Sequence, residues 1–492
     1  MGLSQELLDY VHAAYTGLWI QTHEPDEAER EITALAHERK WKLAVWDIAN
    51  GLRIAGASDA TEMAPGDPLA ALRAMPALGD AKSSALLLLH NFHKFLSNPE
   101  VMQTTFAQIV AGKRNRTFVV VLSPVVQVPV ELEKLFVVIE HALPDRAQLE
   151  RIAREILSDQ PGEIPKGEEM QRVLDAAAGM TRYEAEASYA LSLARHNRIR
   201  PDVITDLKAR ALKKNNLLTL YRGGESFRDL GGLENLKDFC KRALQSSRKV
   251  KPRGVLLLGI SGTGKSAFAK ALGNEVGRPT LLLDIGTLMG SLVGASEANL
   301  RHALRIAEAT SPSILFCDEI EKALSGVGSQ GDSGVSTRLF GALLTWLSDH
   351  ESDVFFIGTS NDISKLPAEF TRAERFDGVF FLDIPNVAEK EAIWSLYRKH
   401  FQIPESQIRP KDDSWTGAEI KACCRLATLL DEPLTQAARN VVPVAVTAAE
   451  AVEKLRTWAS GRCLCANNPG IFTRDGAPSP RAARRVHRPS DN

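Results

Sequence analysis

The chain has no long hydrophobic run. Its aliphatic stretch Ala85 to Leu89 falls far short of the roughly 20 residues that span a bilayer, so no transmembrane helix is expected. There is no excess of either charge: 60 Lys and Arg stand against 61 Asp and Glu, and no global field draws the chain to nucleic acid or an anionic membrane. Cysteine is sparse. Cys240, Cys317, Cys423, Cys424, Cys463 and Cys465 form no C-x-x-C pair, which argues against a zinc site or disulfide framework and leaves buried or idle thiols. No H-E-x-x-H occurs, so a fused zinc protease is not expected. The opening MGLSQELLDYV lacks the basic start, apolar core and cleavage site of a secretory signal, and Gln5-Glu6 is a poor context for acylation of Gly2. The start reads as an ordinary helix and the protein as cytoplasmic, or stromal if it is organellar.

What is present is an ordinary globular composition, 44% hydrophobic and 25% charged, over 492 residues, which gives a prior of about three domains. The two halves overlay by pattern. Ala85 to Ser97 matches Ser313 to Ser325 without a gap, each a buried strand running into a helix. A second strand follows in each, Phe118 to Leu122 and Val354 to Thr359, then a third ending near Leu143-Pro144 or Ile384-Pro385. Helices are expected from Asp145 to Leu157 and from Asn386 to Phe401, and Gly179 to Ala187 resembles the stretch from Trp415 to Ile420. Two α/β modules with helical appendices fit this pattern, against the alternative that any two α/β domains share such alternation.

Gly259-Ile260-Ser261-Gly262-Thr263-Gly264-Lys265-Ser266 fits G-x-x-x-x-G-K-[ST] between the apolar strand Val255 to Leu258 and a helix from Ala267. The glycines let backbone N–H groups turn inward as an anion nest, Lys265 supplies a charge for the β and γ phosphates, and the Ser266 hydroxyl suits Mg²⁺. Asp318 and Glu319 end the apolar strand Ile314 to Cys317, at the end of a sheet where ligands collect. Asp318 suits the Mg²⁺ water shell, and Glu319 suits a general base for the attacking water.

These residues resemble the original clade of the AAA ATPases, over about residues 226 to 460. The resemblance implies a P-loop NTPase α/β core, a parallel sheet with flanking helices, followed by a helical lid. It implies ATP and Mg²⁺ as ligands and a homo-oligomer, a hexamer being the expected ring. Phe227 to Glu234, with Asp229 and Gly231, resembles the motif that covers the adenine. Asn361 resembles the first sensor, and Arg372 and Arg375 resemble the arginine pair that reaches the neighbouring subunit's nucleotide. Gly417 and Ala418 resemble the clade's second sensor, and Ala267 follows the phosphate loop into its helix. Tyr397 stands where many relatives have a histidine, and Leu292-Val293 stands where the substrate-gripping loop usually has an aromatic residue.

The first half looks like the same fold without its chemistry. An ungapped overlay of Gly17 on Gly254 puts Glu24, Asp26, Glu27 and Glu29 across the phosphate loop, and the overlay of Ala85 on Ser313 puts His90 and Asn91 opposite Asp318 and Glu319. The expected organisation is a degenerate AAA-like α/β module (1–144), a helical appendix (145–200), a linker (201–225), the ATPase core (226–385), a helical lid (386–466) and a disordered basic tail (467–492). The whole arrangement resembles AAA proteins encoded as a hypothetical reading frame in algal chloroplasts and cyanobacteria. The implied function is a Mg²⁺-ATP hydrolase that remodels or regulates a partner protein. A nucleotide-gated scaffold is the alternative, and a DNA-associated ATPase is disfavoured by the neutral charge.

Overall fold

The computed structural model of the chain describes residues 2–54, 66–79, 83–158, 164–215, 217–245, 250–286, 295–324, 335–363, 366 and 375–474. The chain divides into two compact units, residues 1–174 with 180–200, and residues 175–179 with 201–492. Among the described residues no helix is long and apolar enough to cross a membrane.

The first unit is built on a six-stranded sheet in the order β3-β2-β4-β5-β1-β6. Its strands are β1 (Gly17–Gln21), β2 (Lys42–Asp47), β3 (Gly51–Ile54), β4 (Ala85–His90), β5 (Thr117–Ser123) and β6 (Phe136–Glu140). Only β3 runs antiparallel. Because side chains alternate across a strand, Leu86 and Leu88 bury against α1 (Leu3–His12) and α2 (Pro25–Arg39). Leu87 and Leu89 bury on the other face with residues of α3 (Pro68–Leu78) and α4 (Pro99–Asn115). Coverage of both faces explains the unbroken aliphatic run, each leucine contributing about 1.5–3 kcal/mol. Helices α5 (Arg146–Ile156), α6 (Glu168–Ala177) and α7 (Arg182–His196) follow, with α5 packed on α7.

The second unit has a seven-stranded sheet in the order β13-β12-β8-β11-β10-β9-β7. Here β7 is Leu218–Leu220, β8 Gly254–Gly259, β9 Thr280–Leu283, β10 Ser313–Cys317, β11 Val354–Ser360, β12 Gly378–Leu382 and β13 Leu464–Cys465. The stretch expected as a linker carries α8 (Pro201–Asn215) and β7, which pairs antiparallel with β9. Buried Val203, Ile204 and Leu212 give α8 an apolar stripe at helical spacing. Around the sheet lie α9 (Glu234–Leu244), α10 (Lys265–Val276), α11 (Ala295–Ala309) and α12 (Val335–Asp349). The lid comprises α13 (Val387–His400), α14 (Gly417–Leu430), α15 (Leu434–Ala437), α16 (Val444–Thr447) and α17 (Ala449–Ala459), and its own core includes Trp394, Trp415 and Cys424.

The internal repeat is a repeat of topology and register. The order β2-β4-β5-β1-β6 corresponds to β9-β10-β11-β8-β12. Gly17 pairs with Val119 as Gly254 does with Phe356, and Ala85 pairs with Thr117 as Ser313 does with Val354. The overlay of Gly17 on Gly254 breaks just after the first strand. Helix α2 begins eight residues after the start of β1, whereas α10 begins eleven after the start of β8, so the first unit lacks room for the phosphate loop.

Candidate functional site

A cavity of about 320 Å³ opens in the second unit, lined by the loop 261–267, Asp229 to Leu233, Asp318, Glu319, Asn361, Gly417 and Ala418. It lies where β8, β10 and β11 end, the ligand position of open α/β sheets. Gly259 and Ile260 do not line it. Their carbonyl oxygens instead accept from Lys265 Nζ, each at 2.8 Å. Gly262 and Gly264 have φ values of +85° and +97°, the left-handed backbone that a cradle of inward N–H groups requires. A Cβ at Gly262 would lie 2.6 Å from Thr416 Oγ1 and 2.9 Å from Ala418 Cβ, so the lid closes on the loop only over glycine. There Ala418 N donates to Gly262 O at 3.1 Å.

Lys265 is buried, and that burial brings its ammonium down to about 8, opposed by the charges of Asp318, Glu321 and Glu319. The ammonium donates to these two neutral loop carbonyls, so an anion in the cradle would give it a charged partner. Ser266 Oγ donates to Asp318 at 2.9–3.0 Å. Thr359 Oγ1 donates to Asp318 Oδ1 at 2.5 Å and accepts from Glu319 N at 2.9 Å. One carboxylate with two hydroxyls is a small oxygen set of the kind that holds Mg²⁺ together with substrate phosphates, and the residues fit that ion with a nucleotide.

Glu319 has left-handed backbone, φ +48°, and its carboxylate lies between Asn361 Nδ2, at 3.2 Å, and the ammonium of Lys322. Asn361 N donates to Glu321 Oε1 at 3.0 Å, while Asn361 Oδ1 is buried with no hydrogen-bond partner among the described residues. Thr359, Glu321 and Lys322 were not singled out by the sequence reading, although the runs Asp318 to Lys322 and Gly358 to Asn361 contain them.

Asp229 lines the cavity, but its carboxylate accepts from Ser226 N at 2.8 Å and so caps its own turn. Gly231 is needed where this segment crosses α13, since a Cβ there would lie 2.6 Å from Ile393 Cγ1. Tyr397 also lines the cavity; burial raises its phenol, and Lys421 Nζ lies 5.7 Å from its ring centroid. Arg375 does not line its own chain's cavity. Arg372, Leu292 and Val293 lie outside the described residues.

At the corresponding place in the first unit acidic side chains replace the phosphate loop. Glu24 stands at the N-cap of α2, and its carboxylate accepts from Arg182 N at the start of α7. Burial raises the Glu24 carboxyl, opposed by that N–H. The Arg182 guanidinium lies 2.6 Å from Glu155, 2.7 Å from Glu186 and 3.4 Å from Glu27. His90, opposite Asp318, lies 2.8 Å from Glu29.

Comparison with known proteins agrees with this geometry. Residues 255–384 match the family described as ATPase family associated with various cellular activities (AAA). Residues 3–141 and 147–215 match the N-terminal and second domains of SpoVK-like AAA ATPases. The chain is 32% identical to the "Uncharacterized AAA domain-containing protein ycf46" of Pyropia yezoensis, over 93% of this chain and 98% of that one. It is 29% identical to the protein of the same name from Guillardia theta, over 91% and 93%. A cell division cycle protein 48 homolog of Archaeoglobus fulgidus is 29% identical over 46% of this chain and 32% of its own. With a phosphate loop, an acid pair and a lid in one cavity, and with full-length likeness at this level, the chain is an ATP hydrolase of the AAA class and belongs to the ycf46 family of AAA domain-containing proteins.

Proposed function

We propose that the second unit binds Mg²⁺-ATP and hydrolyses it within a ring of identical subunits, and that turnover drives remodelling or regulation of a partner protein. The observation that carries this reading is the buried Lys265 ammonium, bonded to neutral carbonyls in a cradle that Asp318, Glu319 and Asn361 also face. In this reading Lys265 and the N–H groups of 261–267 hold the β and γ phosphates, and Ser266 and Asp318 hold Mg²⁺, which neutralises charge on the phosphates when bound. Asn361 Oδ1, the buried acceptor, takes a hydrogen bond from the attacking water, and Glu319 takes its proton once its carboxylate leaves Lys322. The segment from Asp229 to Leu233 forms the wall against the base, and Gly417 and Ala418 couple lid position to the phosphate loop through the Ala418 to Gly262 hydrogen bond. Arg372 and Arg375 act on a neighbour's nucleotide, a reading supported by the absence of Arg375 from its own chain's cavity.

The first unit carries a docking or packing role in this account, since Glu24 and Arg182 close its vestigial site from within. A nucleotide-gated scaffold with slow turnover is the second reading. Leu292-Val293 favours it, because two aliphatic residues lack the flat face with which an aromatic residue grips a threaded chain. The test is affinity capture by a Glu319→Gln full chain held in Mg²⁺-ATP. Rings that retain a protein partner, and release it from wild type after hydrolysis, support remodelling. Rings whose turnover is slow and unaffected by every captured protein support the scaffold.

A further inference from the structure

The C-terminal segment, expected as the start of a disordered tail at Asn467, is folded through Arg474. After α17 the chain adds β13 in parallel to the outer edge of β12, with Phe380 opposite Leu464 and Phe381 opposite Cys465. It then turns back through Asn467-Asn468-Pro469-Gly470. Cys465 N donates to Gly470 O at 2.9 Å and Phe472 N donates to Cys463 O at 2.8 Å, which closes a hairpin. Phe472 packs on Phe381 with ring centroids 4.5 Å apart. The hairpin is also fastened to the segment beside the nucleotide cavity: Asn235 Nδ2 donates to Cys465 O at 2.7 Å and Leu236 N to Ala466 O at 2.9 Å. Upstream, Arg456 pairs with Asp383, another cavity residue, at 2.7 Å.

At the tip, Asn467 lines the cavity. Its Oδ1 accepts from Leu233 N at 3.0 Å, which fixes the orientation of the amide because a backbone N–H requires an acceptor. The remaining end is an NH₂ with two donors, and among the described residues it makes no hydrogen bond. It stands beside Leu233, at the end of the segment from Asp229 that forms the wall against the base in the proposed reading. Acceptors at the nucleoside end of ATP are the ring nitrogens of the base and the ribose oxygens.

Resting on the proposed nucleotide site, we infer that Asn467 is a nucleotide-binding residue, donating from Nδ2 to the nucleoside end, and that the C-terminal hairpin thereby becomes a clasp ordered by bound nucleotide. A strand of two residues at a sheet edge gains little from its own pairing, so one added hydrogen bond at its tip shifts its opening equilibrium measurably.

The experiment compares the wild-type full chain with Asn467→Ala and Asn467→Asp. Binding of ATP, ADP and inorganic triphosphate is titrated calorimetrically, and hydrogen exchange is followed at the amides of Cys465 and Phe472. Asp keeps the acceptor for Leu233 N–H and replaces the donor by a negative charge, so the comparison with triphosphate is read on Asn467→Ala, which adds none. The expected result is about a fivefold to tenfold loss of ATP and ADP affinity in both variants. Triphosphate affinity should be unchanged, and nucleotide should protect the hairpin in wild type alone. Without nucleotide, Asn467→Asp should exchange as wild type does. Wild-type affinity for ATP in Asn467→Asp would overturn the inference, since Asn467 would then only clamp Leu233. Equal losses for triphosphate would overturn it too, by placing the defect at the phosphate end. A wild-type chain that binds neither ATP nor triphosphate would fail the nucleotide reading itself and this inference with it.

Discussion

Asn91 and Glu319 hold the same unusual backbone, with φ of +52° and +48°, at equivalent points just past β4 and β10. Left-handed backbone costs a non-glycine residue about 1–2 kcal/mol, and Asn tolerates it better than most. In the second unit the turn presents a carboxylate to the cavity. In the first the residue at this turn is an amide.

The first prediction follows from that contrast: the full chain binds one ATP, not two. Calorimetric titration with Mg²⁺-ATP should give a stoichiometry near one per chain, and Lys265→Ala should remove the binding without exposing a second site. A stoichiometry of two would mean that Glu24 does not close the first unit.

Arg182 should matter for stability and not for turnover. Its guanidinium gathers Glu27, Glu155 and Glu186, and truncation leaves three carboxylates facing one another. Arg182→Ala should cost about 1–3 kcal/mol in the first unit, seen as a lower thermal midpoint, with ATP affinity unchanged. An unchanged midpoint would reduce this cluster to a solvated surface pair.

Nucleotide affinity should depend on alkaline pH through Lys265. Its ammonium, lowered to about 8 by burial, is the form that attracts phosphate. A bound polyphosphate raises that value, so binding takes up a proton above pH 8. Affinity should therefore fall as pH rises past about 8, by at most tenfold per unit, and stay flat just below it. The sign is opposite for the nucleotide-free fold. Between about 8 and 10.5 the unfolded chain holds the extra proton, so the Lys265 contribution to stability rises with pH in that window. Calorimetry in buffers of different ionisation enthalpy reads the proton uptake directly, and no uptake at pH 8.5 would refute the assignment.

Arg375→Ala should lower kcat by about a thousandfold with little effect on affinity, if the side chain acts on the transition state in a neighbouring subunit. Mixing it with a Glu319→Gln chain should restore part of the activity, because some interfaces then pair an intact Glu319 with an intact Arg375. Verified mixed assemblies with no recovery would rule out action in trans. Arg372→Ala should behave likewise.

Which parts could be read from the sequence follows from how local their signals are. The phosphate loop was legible because positive φ at Gly262 and Gly264 and a lysine at a fixed offset are demands on single residues. The paired modules were legible because strands covered on both faces, such as Ala85–His90, must be apolar throughout. Helix α8 was obscured by Lys213-Lys214-Asn215-Asn216, whose polarity masks the stripe of Val203, Ile204 and Leu212. The shortened connection before α2 was hidden because an ungapped overlay places Glu24 correctly in kind but wrongly in register. The hairpin at 463–472 was illegible for a different reason: Asn-Asn-Pro-Gly reads as loop, and two-residue pairing to Phe380 and Phe381 is information held far away in the chain.

The central claim, that the second unit is a hydrolytic ATP site with Glu319 as its base, is tested most directly by measuring ATP affinity and steady-state turnover of Glu319→Gln beside wild type. The account predicts affinity unchanged within about twofold and turnover reduced by roughly a hundredfold or more, because the amide fills the same space but cannot take the water's proton. Turnover near the wild-type rate in a variant that still binds ATP would contradict it.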